Sequence, residues 1–289
     1  MIELLQTDFF RLALIAALLV GLCAPAVGTF IVQRRLSLLG DGIGHVALTG
    51  VALGFLTGAE PVLTAVVVSV AGAVAIELVR ARGRTSGDVA LALLFYGGIA
   101  GGVMLMGIAP GGSNAKLTSY LFGAIASVTP QDIWIIGALA VAVIAVVAIF
   151  GRELFVLCQD EEMARANGLP VRFLSLLIAV TAALTVVIAM RVVGLLLVSA
   201  LMVIPVATSQ QLTRGFRSTM ALAMVIGVVA AVGGLLASSL SSRVPPGAAI
   251  VLLALGGFVL ALGVGRFVRR GRVREPGVQE DPTPVREAV

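Results

Sequence analysis

Nine apolar runs dominate this sequence, at 9–32, 41–58, 61–79, 88–108, 131–150, 171–190, 192–212, 219–240 and 247–267. Each approaches the roughly 20 residues that a helix needs to cross the hydrocarbon core of a bilayer. A backbone in lipid must satisfy its hydrogen bonds internally, so it spans as a helix or as a closed barrel. These runs are continuous rather than alternating, which excludes the barrel. Composition agrees: only 12% of the residues are charged, against about 25% in an ordinary soluble domain. The chain therefore reads as an all-α polytopic membrane protein, a bundle of about nine transmembrane helices, with eight to ten allowed by two weak boundaries. Only Arg191 separates the sixth and seventh runs, so one of them is expected to be short or broken. The stretch 117–129 is too short to span and reads as an outer helix or a re-entrant piece.

Arginine and lysine set the orientation. Arg34 and Arg35 follow the first run, Arg80, Arg82 and Arg84 the third, Arg152 and Arg165 the fifth, and Arg214 and Arg217 the seventh. Arg266, Arg269, Arg270, Arg272 and Arg274 follow the ninth. These loops alternate, so all of them can be cytoplasmic together, which puts the N-terminus outside and the C-terminus in the cytoplasm. The same clustering explains the net charge of +5 without a nucleic-acid partner. Residues 1–268 then form the transmembrane domain. Residues 269–289, with Pro276, Pro282 and Pro284, read as a disordered cytoplasmic tail.

The two cysteines offer neither a disulfide framework nor metal-ligand spacing: Cys23 lies in the first run and Cys158 in an expected cytoplasmic loop. The first run is too long for a removable signal peptide and is taken as a span. Pro25 and Pro205 fall inside runs, where they should kink the helices.

The second run opens with Asp41 and His45, the latter the only histidine in the chain. Four residues apart, they share a helix face. A carboxylate with a neutral imidazole is a common ligand pair for divalent first-row metals. The bland alternative is that Asp41 caps the helix start and His45 bonds a neighbouring carbonyl. Membrane depth weighs against it, because an ionisable residue inside a span usually faces the bundle interior or a pathway. Glycines surround the pair at 40, 44, 50, 54 and 58, and a second set lies at 97, 98, 101 and 102. Their spacing suits close helix packing. Glu77 and Asp88 flank an arginine loop and read as solvated loop charges.

Between the fifth and sixth runs, Asp160 can cap a short polar helix through Glu161, Glu162, Met163, Ala164, Arg165 and Ala166, closed by Asn167 or Gly168. It is either an ordinary connector or a docking element for a cytoplasmic partner. The chain contains no G-x-x-x-x-G-K-[ST] phosphate loop, no H-E-x-x-H and no G-x-S-x-G. A self-contained ATPase, zinc protease or hydrolase is therefore not expected.

At this point the residues resemble a known family, the permease subunits of bacterial zinc and manganese ATP-binding-cassette importers. The likeness runs from about Met1 to Arg270. It is carried by Arg34 to Asp41 with His45 to Ala52, by Ser119 to Gly123 with Val128 to Asp132, by Ala164 and Gly168, and by Val193 to Leu197 through Ile204 to Thr208. The resemblance implies a homodimer in the bacterial cytoplasmic (inner) membrane. A cytoplasmic ATPase dimer would hydrolyse the ATP, and an extracytoplasmic protein would deliver the metal. It implies that Asp41 and His45 line the metal path and that Asp160, Glu161, Glu162, Ala164, Arg165 and Gly168 dock the ATPase. No cofactor is bound stably; zinc or manganese is the cargo. Manganese members tend to have proline where this chain has Thr49, so the pattern leans toward zinc. The rival reading, a stand-alone proton-coupled secondary transporter, would require further buried acids or histidines, and the spans hold almost none.

Overall fold

The computed structural model describes residues 8–81, 87–109, 119–123, 130–190, 193–240 and 244–272. Ten helices account for most of them: α1 (Asp8–Gln33), α2 (Leu39–Thr57), α3 (Pro61–Ala81), α4 (Gly87–Ile108) and α5 (Pro130–Gln159), then α6 (Glu161–Ala166), α7 (Val171–Met190), α8 (Leu195–Leu212), α9 (Phe216–Ser239) and α10 (Pro246–Arg272). No strand occurs among the described residues.

Eight of these helices are long and apolar enough to cross a membrane. The seventh apolar run is the exception, since α8 offers only the shorter apolar stretch Leu197–Leu212. The weak boundary at Arg191 thus marks a short helix, α8, that follows α7 almost directly. Of the stretch 117–129, residues 119–122 form one helical turn; 117, 118 and 124–129 lie outside the described residues. So does most of the expected tail, although α10 itself continues to Arg272.

The bundle has a centre and a rim. In α1 and α7, 72% of the spanning window is buried, and in α2 67%, whereas in α5 only 17% is buried. The centre is built from small side chains: Ala13, Ala16, Ala17 and Ala24 on α1 and Ala182, Ala183 and Ala189 on α7 are all without exposure. Small residues let backbones approach, and packing of that kind drives association where lipid is as apolar as the helix. Helix α2 packs on α3 and α4, α1 on α9, α5 and α8, and α10 on α9 and α8. Several buried hydroxyls are satisfied by bonding back one turn, as Thr29 does to the Pro25 carbonyl at 2.8 Å and Thr185 to the Thr181 carbonyl at 2.8 Å, whereas those of Ser69 and Ser199 have no partner among the described residues. Pro25 and Pro205 both sit inside helices.

The fifth run extends further than its hydropathy shows. At 30 residues, α5 is about 45 Å long, well beyond a hydrocarbon core of about 30 Å. It is therefore longer than a span perpendicular to the bilayer requires. Cys158 belongs to this helix and is buried against the Phe30 carbonyl, rather than lying in a loop.

The glycines of α2 serve three neighbours, with Gly42 facing Leu94 of α4. Gly40 and Gly44 face Ser199 and Leu195 of α8, whereas Gly50 and Gly54 face Ala65, Thr64 and Pro61 of α3. The tightest approach to the candidate ligands is at Gly98, where an added Cβ would lie 2.6 Å from the His45 carbonyl carbon and 2.6 Å from the Val46 nitrogen. Both obstacles are backbone, so no rotamer change relieves the clash. Gly98→Val should separate α4 from α2 and destabilise the bundle by about 3 kcal/mol, at the upper end for overpacking. Thermal unfolding in detergent checks this; a wild-type midpoint would contradict the close approach.

Candidate metal path and docking helix

Helix α2 begins without side-chain help. Its N-cap is Leu38, which makes no capping bond, and Asp41 stands inside the first turn. Asp41 therefore does not cap the helix, although its negative charge suits the helix start. It is half-buried, and no hydrogen bond or ion pair engages its side chain among the described residues. One turn later His45 is buried, at 8% exposure. Its ring meets the edge of Phe95 on α4, with centroids 4.6 Å apart and planes at 83°. Its Nδ1 is buried and has no hydrogen-bond partner. The bland expectation that His45 bonds a neighbouring carbonyl through this nitrogen is therefore not met.

An unpaired buried polar atom costs about 1–3 kcal/mol and calls for an explanation. The arrangement around His45 gives it no relief. Thr49, one turn further, donates its hydroxyl to the Gly98 carbonyl at 2.9 Å, so that donor is committed away from the ring. The ring is held by Phe95 on one side and by the close α2–α4 contact at Gly98 on the other. A rigid imidazole with a free nitrogen and a carboxylate one turn away can together ligate a divalent cation. Among the described residues no group of three or more His, Cys, Asp or Glu could hold a metal. A single chain thus contributes two ligands at most from this pair.

Both residues lie in the first two turns of α2, His45 about 9 Å along the axis from Leu39 at 1.5 Å per residue. That end of α2 is the end from which the second set of residues is reached. Asp160 caps α6, its Oδ1 accepting from the Glu162 N–H at 2.8 Å and the Met163 N–H at 3.1 Å. The helix closes on Gly168, in the left-handed region at φ 76°. Its N–H donates to the Arg165 carbonyl and the Leu169 N–H to the Ala164 carbonyl, each at 3.0 Å. This is the double bond pattern of a Schellman close. Ala164 faces inward and is fully buried, while Glu162, Met163 and Arg165 are exposed. Six residues capped at both ends form a rigid projection with a polar outer face.

Three participants were not singled out from sequence as members of these sites. Phe95 supports the His45 ring. Met163 presents an apolar side chain, 59% exposed, on the outer face of α6. Arg34, read for its charge and as the start of a family motif, reaches Glu161 and Ser175. Glu77 is not the solvated loop charge expected: it lies inside α3, its side chain is only 14% exposed, and it pairs with Arg80 one turn on at 2.8 Å. The side chain of Asp88 lies outside the described residues.

Comparison with known proteins places this architecture. A family model described as the ABC 3 transport family matches residues 6–265. The chain belongs to the ABC 3 transport family. Among its relatives, the manganese transport system membrane protein MntC of Listeria innocua is 36% identical over 89% of this chain and 91% of that protein. The manganese import system permease protein ScaB of Streptococcus parasanguinis is 32% identical over 92% of this chain and 94% of its own length. A solved structure, PsaBC from Streptococcus pneumoniae in complex with Fab, superposes with a TM-score of 0.82 at 33% identity, covering 93% of this chain and 97% of the matched one. As an ABC 3 permease, the chain is a multi-pass protein of the bacterial cytoplasmic membrane.

Proposed function

We propose that this ABC 3 permease forms the membrane path of an ATP-driven importer of divalent transition-metal ions, with Asp41 and His45 as transit ligands. The observation that carries the reading is the buried, unpartnered Nδ1 of His45 one turn from the unpaired Asp41. Two copies of the chain around a shared path would supply two carboxylates and two imidazoles. Four such donors suffice for a tetrahedral ion, or for an octahedral one completed by water. Transit ligands must also release the ion, and two donors per chain, split between copies, suit that. An extracytoplasmic protein delivers the ion at the outer face, where the N-terminus lies. A cytoplasmic ATPase dimer docks on α6 and switches the path.

Manganese is the favoured cargo, because MntC and ScaB are named for it. The zinc lean drawn from Thr49 finds no support in those names. The Thr49 hydroxyl is committed to the Gly98 carbonyl, so its presence speaks for the α2–α4 contact and not for ion choice. Proteoliposomes holding the full complex should take up manganese with ATP inside. Saturating uptake of zinc but not of manganese would overturn the choice of cargo, and ATP-independent uptake driven by a proton gradient would overturn the importer class.

The missing phosphate loop gives a separate expectation. The purified chain alone should hydrolyse no ATP, and hydrolysis should appear only with its ATPase. Activity that persists after rigorous removal of contaminating ATPases would refute the division of labour.

A further inference from the structure

Arg34 stands where α1 ends, and positive charge at that place is sufficiently explained by membrane orientation. Such an arginine would be expected to extend into water. The Arg34 side chain instead is only 8% exposed. Its Nη1 donates to Ser175 Oγ of α7 at 2.8 Å and its Nη2 to Glu161 Oε2 of α6 at 3.2 Å. The second oxygen of Glu161 accepts from Arg165 at 3.3 Å. One guanidinium therefore ties together α1, α6 and α7. A forked planar donor is suited to hold two acceptors at fixed angles, which a lysine cannot do.

The turn that aims Arg34 is itself constrained. The Arg35 N–H donates to the Val32 carbonyl at 3.0 Å and the Leu36 N–H to the Ile31 carbonyl at 2.9 Å. This closing pattern needs a left-handed residue, usually glycine, and here Arg35 supplies it at φ 58°. Leu36 then accepts from the Leu39 N–H at 2.8 Å, so α2 starts without slack. Asp41 follows in its first turn. A continuous chain of short bonds thus leads from α6, through Glu161 and Arg34, to the helix that carries Asp41 and His45.

We infer that Arg34 is the coupling strut of this permease: a positioning residue that transmits displacement of the docking helix α6 to the start of α2 and so to the metal ligands. The inference rests on the proposal that α6 receives the ATPase. Without the strut, α6 still presents Glu162, Met163 and Arg165, and the ATPase still binds and turns over. What fails is the link between hydrolysis and the path.

The test uses the full reconstituted complex and reads three quantities: ATPase retained through purification, ATP hydrolysed, and manganese delivered per ATP. Arg34→Gln should keep the ATPase bound and hydrolysing while delivery per ATP falls about tenfold, within the range by which substitutions along a coupling path act. Arg34→Lys should fall between Arg34→Gln and the wild type. Combining Arg34→Gln with Glu161→Gln should add nothing to the worse single variant. Should Arg34→Gln not assemble, Ser175→Ala, which deletes only a hydroxyl, should lower delivery per ATP about threefold. Loss of the ATPase from assembled Arg34→Gln complexes would make Arg34 part of the docking surface and overturn the strut. So would unchanged delivery per ATP in Arg34→Gln or, where that variant does not assemble, in Ser175→Ala. Failure of the docking proposal shows elsewhere: Glu162→Lys, off the strut, would then leave ATPase retention and uptake untouched.

Discussion

His45→Ala reduces metal uptake per assembled complex by about 100-fold or more; substitutions that merely support a metal ligand already cost about 10- to 100-fold. Asp41→Ala should act with the same sign and similar size. The argument begins with cost. His45 Nδ1 is buried with no partner, a penalty of about 1–3 kcal/mol, and Asp41 carries an ionisable carboxyl into the first turn of an apolar span, where ionisable groups are costly. A fold that had no use for these groups would be more stable with apolar ones. A passive role predicts a different outcome. Removing the imidazole deletes its edge contact with Phe95, worth about 0.5–1.5 kcal/mol between aromatic rings. That loss leaves most molecules folded and the survivors active. Uptake must therefore be normalised to assembled complex, for example by quantifying the complex after size-exclusion chromatography. Near wild-type uptake by a stable His45→Ala complex would remove the residue from the path.

Reversing Glu161 and Glu162 to lysine should abolish ATP-driven uptake while the spans stay folded. Both acids sit in the first turn of α6, where negative charge contributes about 0.3–1 kcal/mol each and positive charge opposes the helix. Glu161→Lys also sets a second cation against the Arg34 guanidinium, itself only 8% exposed. Because Glu161 is about half exposed, solvent screens part of that repulsion. These effects unravel a six-residue helix; they do not reach the bundle centre in α1, α2 and α7. Gly168→Val should act similarly, since a β-branched residue at φ 76° is strained, by about 1–2 kcal/mol. No atom lies within 4 Å of an added Cβ there, so the strain is conformational and Gly168→Asn should be tolerated. ATP hydrolysis and uptake measured together decide the matter. Normal ATP-driven uptake by the double lysine variant would show that α6 is only a connector.

Hydropathy located the eight long apolar helices of the described residues because lipid leaves the backbone one way to satisfy itself, and that constraint is local to each run; it also counted α8, which is shorter, as a ninth. The α6 cap was legible for the same reason: Asp160 bonds groups two and three residues away, and Gly168 closes the helix within one turn. The pairing of Asp41 with His45 follows from helix periodicity alone. What these residues face does not. Whether a histidine has a partner depends on Phe95 and Gly98, about 50 residues distant, and on a close backbone approach that no spacing rule specifies. The glycines of α2 divide among α8, α4 and α3 because several helices pack on it, which their spacing does not reveal. The continuation of α5 to Gln159 was hidden because its last turns are less apolar, and hydropathy reports the solvent of a segment, not its hydrogen bonds. Arg34 shows the limit most clearly. Its charge is visible in the sequence and has a sufficient local explanation, yet its side chain spans 127 residues of sequence to Glu161 and 141 to Ser175. Only the packing of α1 against α7, with α6 beside them, turns an orientation signal into a buried, forked contact.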